Sequence, residues 1–155
     1  MIPKTAKPED RVLVIGFGNP GRRDDGLGPA AAERLSARSI PGVVCDADYQ
    51  LAIEDALACA RHDTVIFIDA ARGLRKPFTF TKVKAAAAIP PMSHALRPEA
   101  VLAIAAELYG RAPDARLLAI RGHDWAIGEG LTEKAEKNLA LALDFLEDFL
   151  KGNRP

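Results

Sequence analysis

Val12-Leu-Val-Ile-Gly16-Phe-Gly18-Asn19-Pro20-Gly21-Arg22-Arg23-Asp24-Asp25-Gly26-Leu27-Gly28-Pro29 is the stretch that decides how this chain folds. Its first four residues are apolar and rich in β-branched side chains. The run is too short for a helix, so Val12–Ile15 reads as a buried strand that stops at Gly16. Gly16 through Pro29 holds five glycines and two prolines, a composition that no strand or helix interior tolerates. Gly28 is placed as a permissive N-cap and Pro29 as the first residue of a helix running over Ala30–Leu35. The segment is therefore a strand, a long glycine-rich loop and a helix, with Asp24 and Asp25 side by side at the loop's far end.

Gly16-x-Gly18-x-x-Gly21 matches the dinucleotide-binding fingerprint, and Asp46 follows at a distance suited to a ribose-binding acid. The spacing speaks against that use. In a dinucleotide fold the third glycine opens the helix and bare amides meet the pyrophosphate. Here Gly21 and Gly28 are seven positions apart, and the residues between them bring two negative charges to where a phosphate would lie.

The remainder of the chain alternates strands and helices. Val43–Cys45 is a short second strand ending at Asp46, and Leu51–Arg61 has helical spacing. Val65–Ile68 is a third, fully apolar strand closed by Asp69. An acid at the end of a buried parallel strand lies at the carboxyl edge of the sheet, where open α/β folds bind ligands. Taken alone, such an aspartate is more often a turn cap. Phe78–Lys84 alternates apolar and polar residues, the mark of a half-exposed and possibly antiparallel edge strand. Pro98 opens a helix with Val101, Leu102, Ala105 and Leu108 on one face and Gly110 as its stop. Arg116–Ile120 is a fifth strand. Thr132 is the N-cap of a last helix whose core stripe is Leu131, Ala135, Leu139, Ala142, Leu146 and Phe149.

At 155 residues the chain is one domain by size, here 11–151, with 1–10 as a flexible N-terminal extension and Gly152–Pro155 expected to fray. Hydrophobic residues make up 48% and charged residues 27%, the profile of an ordered soluble domain. Lys+Arg and Asp+Glu balance at 21 each, which gives no electrostatic reason to expect nucleic acid or an anionic membrane as partner. No apolar run is long enough to span a membrane and no signal peptide is evident, so the expected location is the cytoplasm. Cys45 and Cys59 form no metal or redox motif and are expected to be buried thiols. Neither Gly-x-Ser-x-Gly nor a credible Cys-His pairing is present.

Two family resemblances attach to the opening stretch. Gly18-Asn19-Pro20-Gly21 resembles the start of bacterial peptidyl-tRNA hydrolases, but their Arg-His-Asn with its catalytic histidine is replaced by Arg22-Arg23-Asp24-Asp25. The wider pattern, Gly16-x-Gly18-Asn19-x-x-x-x-Asp24-Asp25-x-x-Gly28, resembles the signature of the endopeptidases that mature [NiFe]-hydrogenase large subunits. That resemblance extends over most of residues 11–150 through Asp69, Ser93-His94 before Pro98, and Gly128-Glu129-Gly130-Leu131-Thr132. It implies a phosphorylase/hydrolase-like three-layer α/β/α sandwich with a five-stranded, mostly parallel but mixed sheet.

The same resemblance implies a function and a site. Asp25, Asp69 and His94 would be the metal-contacting and catalytic residues of an aspartyl-type peptide bond hydrolase. The metal would be nickel contributed by the hydrogenase large-subunit precursor, with no tightly bound metal of the protein's own. The enzyme would then remove the precursor's C-terminal extension. His123 and Asp124 would support the site, Gln50 has no assigned role, and Arg22 and Arg23 read as solvated surface. A non-proteolytic, nickel-dependent chaperone for the precursor would use the same three ligands, and peptidyl-tRNA hydrolase is the other alternative. Of the two aspartates, Asp25 is expected to face the metal and Asp24 to accept amides within the glycine loop.

Overall fold

The computed structural model describes residues 10–91 and 95–152. Five strands, β1 (Val12–Phe17), β2 (Val43–Asp48), β3 (Thr64–Ala71), β4 (Phe78–Val83) and β5 (Asp114–Arg121), form one sheet in the order β2-β1-β3-β5-β4. All neighbours pair in parallel except β4, which runs antiparallel to β5 at the edge. Four helices cover the sheet: α1 (Leu27–Ala37), α2 (Glu54–Ala60), α3 (Pro98–Tyr109) and α4 (Glu133–Leu150).

The period-two alternation of β1 divides the core into two halves. Leu13, Ile15 and Phe17 join Val65 and Phe67 against α2 and α3. Val12 and Val14 join Ile66, Ile68, Leu118 and Ile120 against α1 and α4. Because both faces are covered, the parallel strands read as unbroken apolar runs rather than alternating ones. This is the three-layer α/β/α sandwich with a five-stranded mixed sheet that the sequence predicts. On the exposed edge, Phe78 and Phe80 of β4 turn inward onto Phe145 of α4, each with ring centroids 5.2 Å apart.

The glycine-rich stretch differs in detail from its sequence reading. β1 continues through Gly16 to Phe17. Arg23–Gly26 makes a single 3-10 turn, and α1 starts at Leu27 with Gly26 as its N-cap. Gly28 and Pro29 are thus inside the first turn of the helix. The reason is packing: a Cβ on Gly28 would lie 2.6 Å from Ile68 O and 2.7 Å from Phe17 N. The helix can press onto β1 and β3 only where there is no side chain.

Elsewhere β2, β3 and β5 are longer than expected and α2 is shorter. β2 extends through Asp48, α2 covers only Glu54–Ala60, and Asp69 lies within β3 instead of beyond it. Leu108, assigned to the buried face of α3, is 57% exposed; it falls in the helix's last turn, past Ala105, where the buried face ends. Pro98 at the start of α3, the left-handed Gly110 at its end, and Thr132 capping α4 match their expected roles. Cys59 is buried and Cys45 half-buried, with burial pushing both thiols up to about 12. No helix among the described residues is long and apolar enough to cross a membrane.

Candidate active site

The strand order reverses at the β1/β3 boundary. The connection after β1 leads outward to β2, while that after β3 leads toward β4 and β5. Two adjacent parallel strands whose exits diverge leave a crevice at their carboxyl ends, the preferred ligand position in open α/β sheets. Asp25 and Asp69 line an open pocket there together with Ala70, Arg72, Arg97 and Trp125.

Asp69 comes from the strand itself: its backbone pairs with Ala119 of β5, one residue past the point where the pairing of β3 with β1 ends at Ile68. Its carboxylate is 19% exposed and accepts from Arg97 Nη1 at 3.5 Å. Burial, only partly offset by the Arg97 guanidinium and the Ala70 amide and helped by like-charge repulsion from Asp25, pushes the Asp69 carboxyl up to about 6. Sequence reasoning missed Arg97. It is the N-cap position of α3 and its partner is 28 positions away, so no local pattern announces it.

Asp25 is held by the glycine loop. Asn19 N donates to Asp25 Oδ2 at 2.8 Å, and Gly21 N donates to Asn19 Oδ1 at 2.8 Å. This chain of Asx-type bonds holds the Asp25 carboxylate through Oδ2 and keeps it at the pocket wall. The loop is tight as well as fixed. Gly18 has φ of 147°, and a Cβ there would collide with Asp25 O.

Asp24 does the opposite of its neighbour, and not in the way the sequence suggests. Its side chain is fully buried and reaches out of the glycine loop to a distant segment. It accepts from His123 N at 2.8 Å, Asp124 N at 3.1 Å, Thr132 N at 2.8 Å and Thr132 Oγ at 2.8 Å. The glycine-loop amide, Asn19 N, goes to Asp25 instead. Burial alone would raise the Asp24 pKa, but donors from Thr132, His123 and Asp124 outweigh it and hold the carboxylate below its ordinary value.

Those bonds fasten the 122–132 segment over the site. Arg23 N donates to Gly128 O at 2.9 Å and Gly128 N to Gly21 O at 2.8 Å, a bridge between the two loops. Trp125, presented by this segment, forms one wall of the pocket, and Arg72 stacks 4.2 Å above its ring. His123 and Asp124 therefore act through their backbone amides; the His123 imidazole faces Asn138 Nδ2 at 3.3 Å. Arg22 is exposed as expected. Arg23 is half-buried and has a left-handed φ of 50°, so it belongs to the loop's architecture rather than to open surface.

His94, the third residue assigned to the site, lies outside the described residues, as does the 1–9 part of the N-terminal extension. Among the described residues a separate group of acids stands at the end of β2. Asp46, Asp48 and Asp55 each bring a carboxylate oxygen within 4.8 Å of the others. Burial, then repulsion from Asp55 and Asp46, pushes the Asp48 carboxyl up to about 6.

No protein-family model and no curated protein matches the sequence. Solved structures do resemble the fold. A [NiFe] hydrogenase maturation protease, HycI, from Thermococcus kodakarensis is 22% identical with a TM-score of 0.68, over 92% of this chain and 94% of its own. A hydrogenase 2 maturation peptidase from a Thaumarchaeota archaeon is 24% identical with a TM-score of 0.68, covering 91% and 98%. The hydrogenase maturating endopeptidase HybD from E. coli is 22% identical with a TM-score of 0.70, covering 92% and 93%. Almost the whole of each chain takes part in these superpositions. The chain has the fold of the hydrogenase maturation proteases.

Proposed function

We propose that this protein is a peptide bond hydrolase that removes the C-terminal extension of a [NiFe]-hydrogenase large-subunit precursor after nickel insertion. The observation that carries the proposal is the meeting of Asp25 and Asp69 in one open pocket at the β1/β3 crevice. The fold shared with solved maturation proteases supports it. Nickel already held by the precursor is the recognition element, and Asp25, Asp69 and His94 are its contacts on the protease. Carboxylate and imidazole donors suit a divalent first-row ion and leave positions open for the precursor's own ligands. With the ion held between the two proteins, the C-terminal segment of the precursor is fixed across the pocket and cut at one bond. The reaction belongs in the cytoplasm.

A site of two carboxylates and one imidazole without thiolates holds metal weakly by itself. The purified protein is expected to pass through gel filtration without stoichiometric nickel and to remain folded. The test is incubation with nickel-loaded and nickel-free precursor, followed by mass spectrometry of the released peptide. The proposal expects a single C-terminal fragment from the loaded precursor and none from the nickel-free one. Binding without release would point instead to a nickel-dependent chaperone.

A further inference from the structure

Beside the acidic pocket runs a second depression of about 280 Å³, lined by Ala86, Ala88, Pro90, Leu96, Ala100 and Arg97. Arg97 lines both cavities, so the groove and the Asp25–Asp69 pocket adjoin across one side chain. Apart from Glu99 and Arg97, both on the α3 side, its lining is alanine, proline and leucine, and Pro90 and Pro91 contribute no N–H. Nearby, Ala86 N is already spent on Glu99 O at 2.9 Å, which ties this wall to the start of α3. An occupant therefore finds little backbone to pair with, and is recognised by an apolar side chain. The space is also below the roughly 300–1,000 Å³ of ordinary small-molecule sites.

We infer that this groove is a specificity subsite of the protease, taking an aliphatic side chain of the precursor polypeptide beside the scissile bond. The inference rests on the proposed proteolytic function. Arg97 stands at the junction, where its guanidinium reaches Asp69 on one side and borders the groove on the other. A polypeptide held at the acidic pocket and continuing past Arg97 meets the groove next. Burying one aliphatic side chain there contributes affinity along the same chain that is cut.

The test fills the groove from an exposed position. Ala88→Phe places a ring in it, Ala88→Glu places a charge there, and Ala87→Phe puts the same ring on an exposed residue that does not line it. Cleavage of nickel-loaded precursor is followed at varied precursor concentration, with thermal unfolding as a check on folding. Both Ala88 variants are expected to raise KM roughly tenfold or more with kcat little changed, as loss of a buried aliphatic contact implies. Ala87→Phe is expected to behave as the wild type. A KM within about twofold of wild type for both folded Ala88 variants overturns the subsite and leaves the protease intact. Wild-type protein that leaves the loaded precursor uncut overturns the proteolytic reading and the subsite with it. A wild-type dimer that Ala88→Glu dissociates assigns the groove to a second copy of this chain and also overturns the subsite.

Discussion

Thr132 Oγ donates to Asp24 Oδ2 at 2.8 Å while accepting from Ala135 N at 3.1 Å. One hydroxyl thus caps α4 and anchors that cap to a buried carboxylate 108 positions earlier. Removing either partner strips the other. Asp24→Asn puts an amide donor where four donors converge, and it should cost about 3 kcal/mol or more, the scale of a broken buried charge network. Thr132→Ala loses a cap and one of these bonds and should cost about 1–2 kcal/mol. Urea unfolding of both single variants and the double variant measures this. Strict additivity would show that the two residues do not act as a unit.

Asp25→Asn should separate function from stability. Its Oδ2 accepts the Asn19 amide, and an asparagine carbonyl can do the same. Unfolding free energy should change by under about 1 kcal/mol, because no buried charge pair is broken. Processing of nickel-loaded precursor should be abolished. A folded Asp24→Asn protein should still process it. Equal loss of activity in the two variants would contradict the division of labour.

The layering of the fold was legible because β1 and β3 are covered on both faces and so display unbroken apolar runs at Val12–Ile15 and Val65–Ile68. The caps of α3 and α4 were legible because Pro98, Gly110 and Thr132 act locally. Asp25 and Asp69 could be placed at one sheet edge from strand direction alone. What the sequence hid is non-local. The donors to Asp24 lie 99 to 108 positions away, and Arg97 reaches Asp69 across 28. Gly28 carried a misleading signal. It resembled a cap, whereas its missing side chain serves the contact of α1 with β1 and β3.

That contact makes a sharp prediction. A Cβ at Gly28 would meet backbone atoms of both strands, which cannot give way without moving the sheet, and Gly16 faces the same crossing from below. Gly28→Ala should therefore destabilise by more than the helix-propensity gain of about 1 kcal/mol can offset, with overpacking of roughly 1–3 kcal/mol or beyond. Circular dichroism melting decides it. A variant as stable as wild type would mean that α1 can retreat from the sheet.

The acids at the end of β2 give the pH prediction. Asp48 is raised to about 6, above the roughly 3.9 of an unfolded aspartate. The folded chain consequently holds the Asp48 proton more tightly than the unfolded chain. Its contribution to stability is greatest at the acid end of this window and is lost as pH rises through about 6. Above that pH, folding forces a charge into a half-buried place beside Asp46 and Asp55. Asp48→Asn removes the charge, and its amide can donate to Asp46 Oδ2, which is buried and has no hydrogen-bond partner among the described residues. The variant should melt roughly 2–4 °C higher than wild type at neutral pH, the shift that about 1 kcal/mol produces in a domain of this size. That gain should shrink steadily as the pH is lowered toward 4, where wild-type Asp48 is already neutral in the folded state. Thermal melts across this range provide the check, and a gain independent of pH would show that packing, not charge, separates the two proteins.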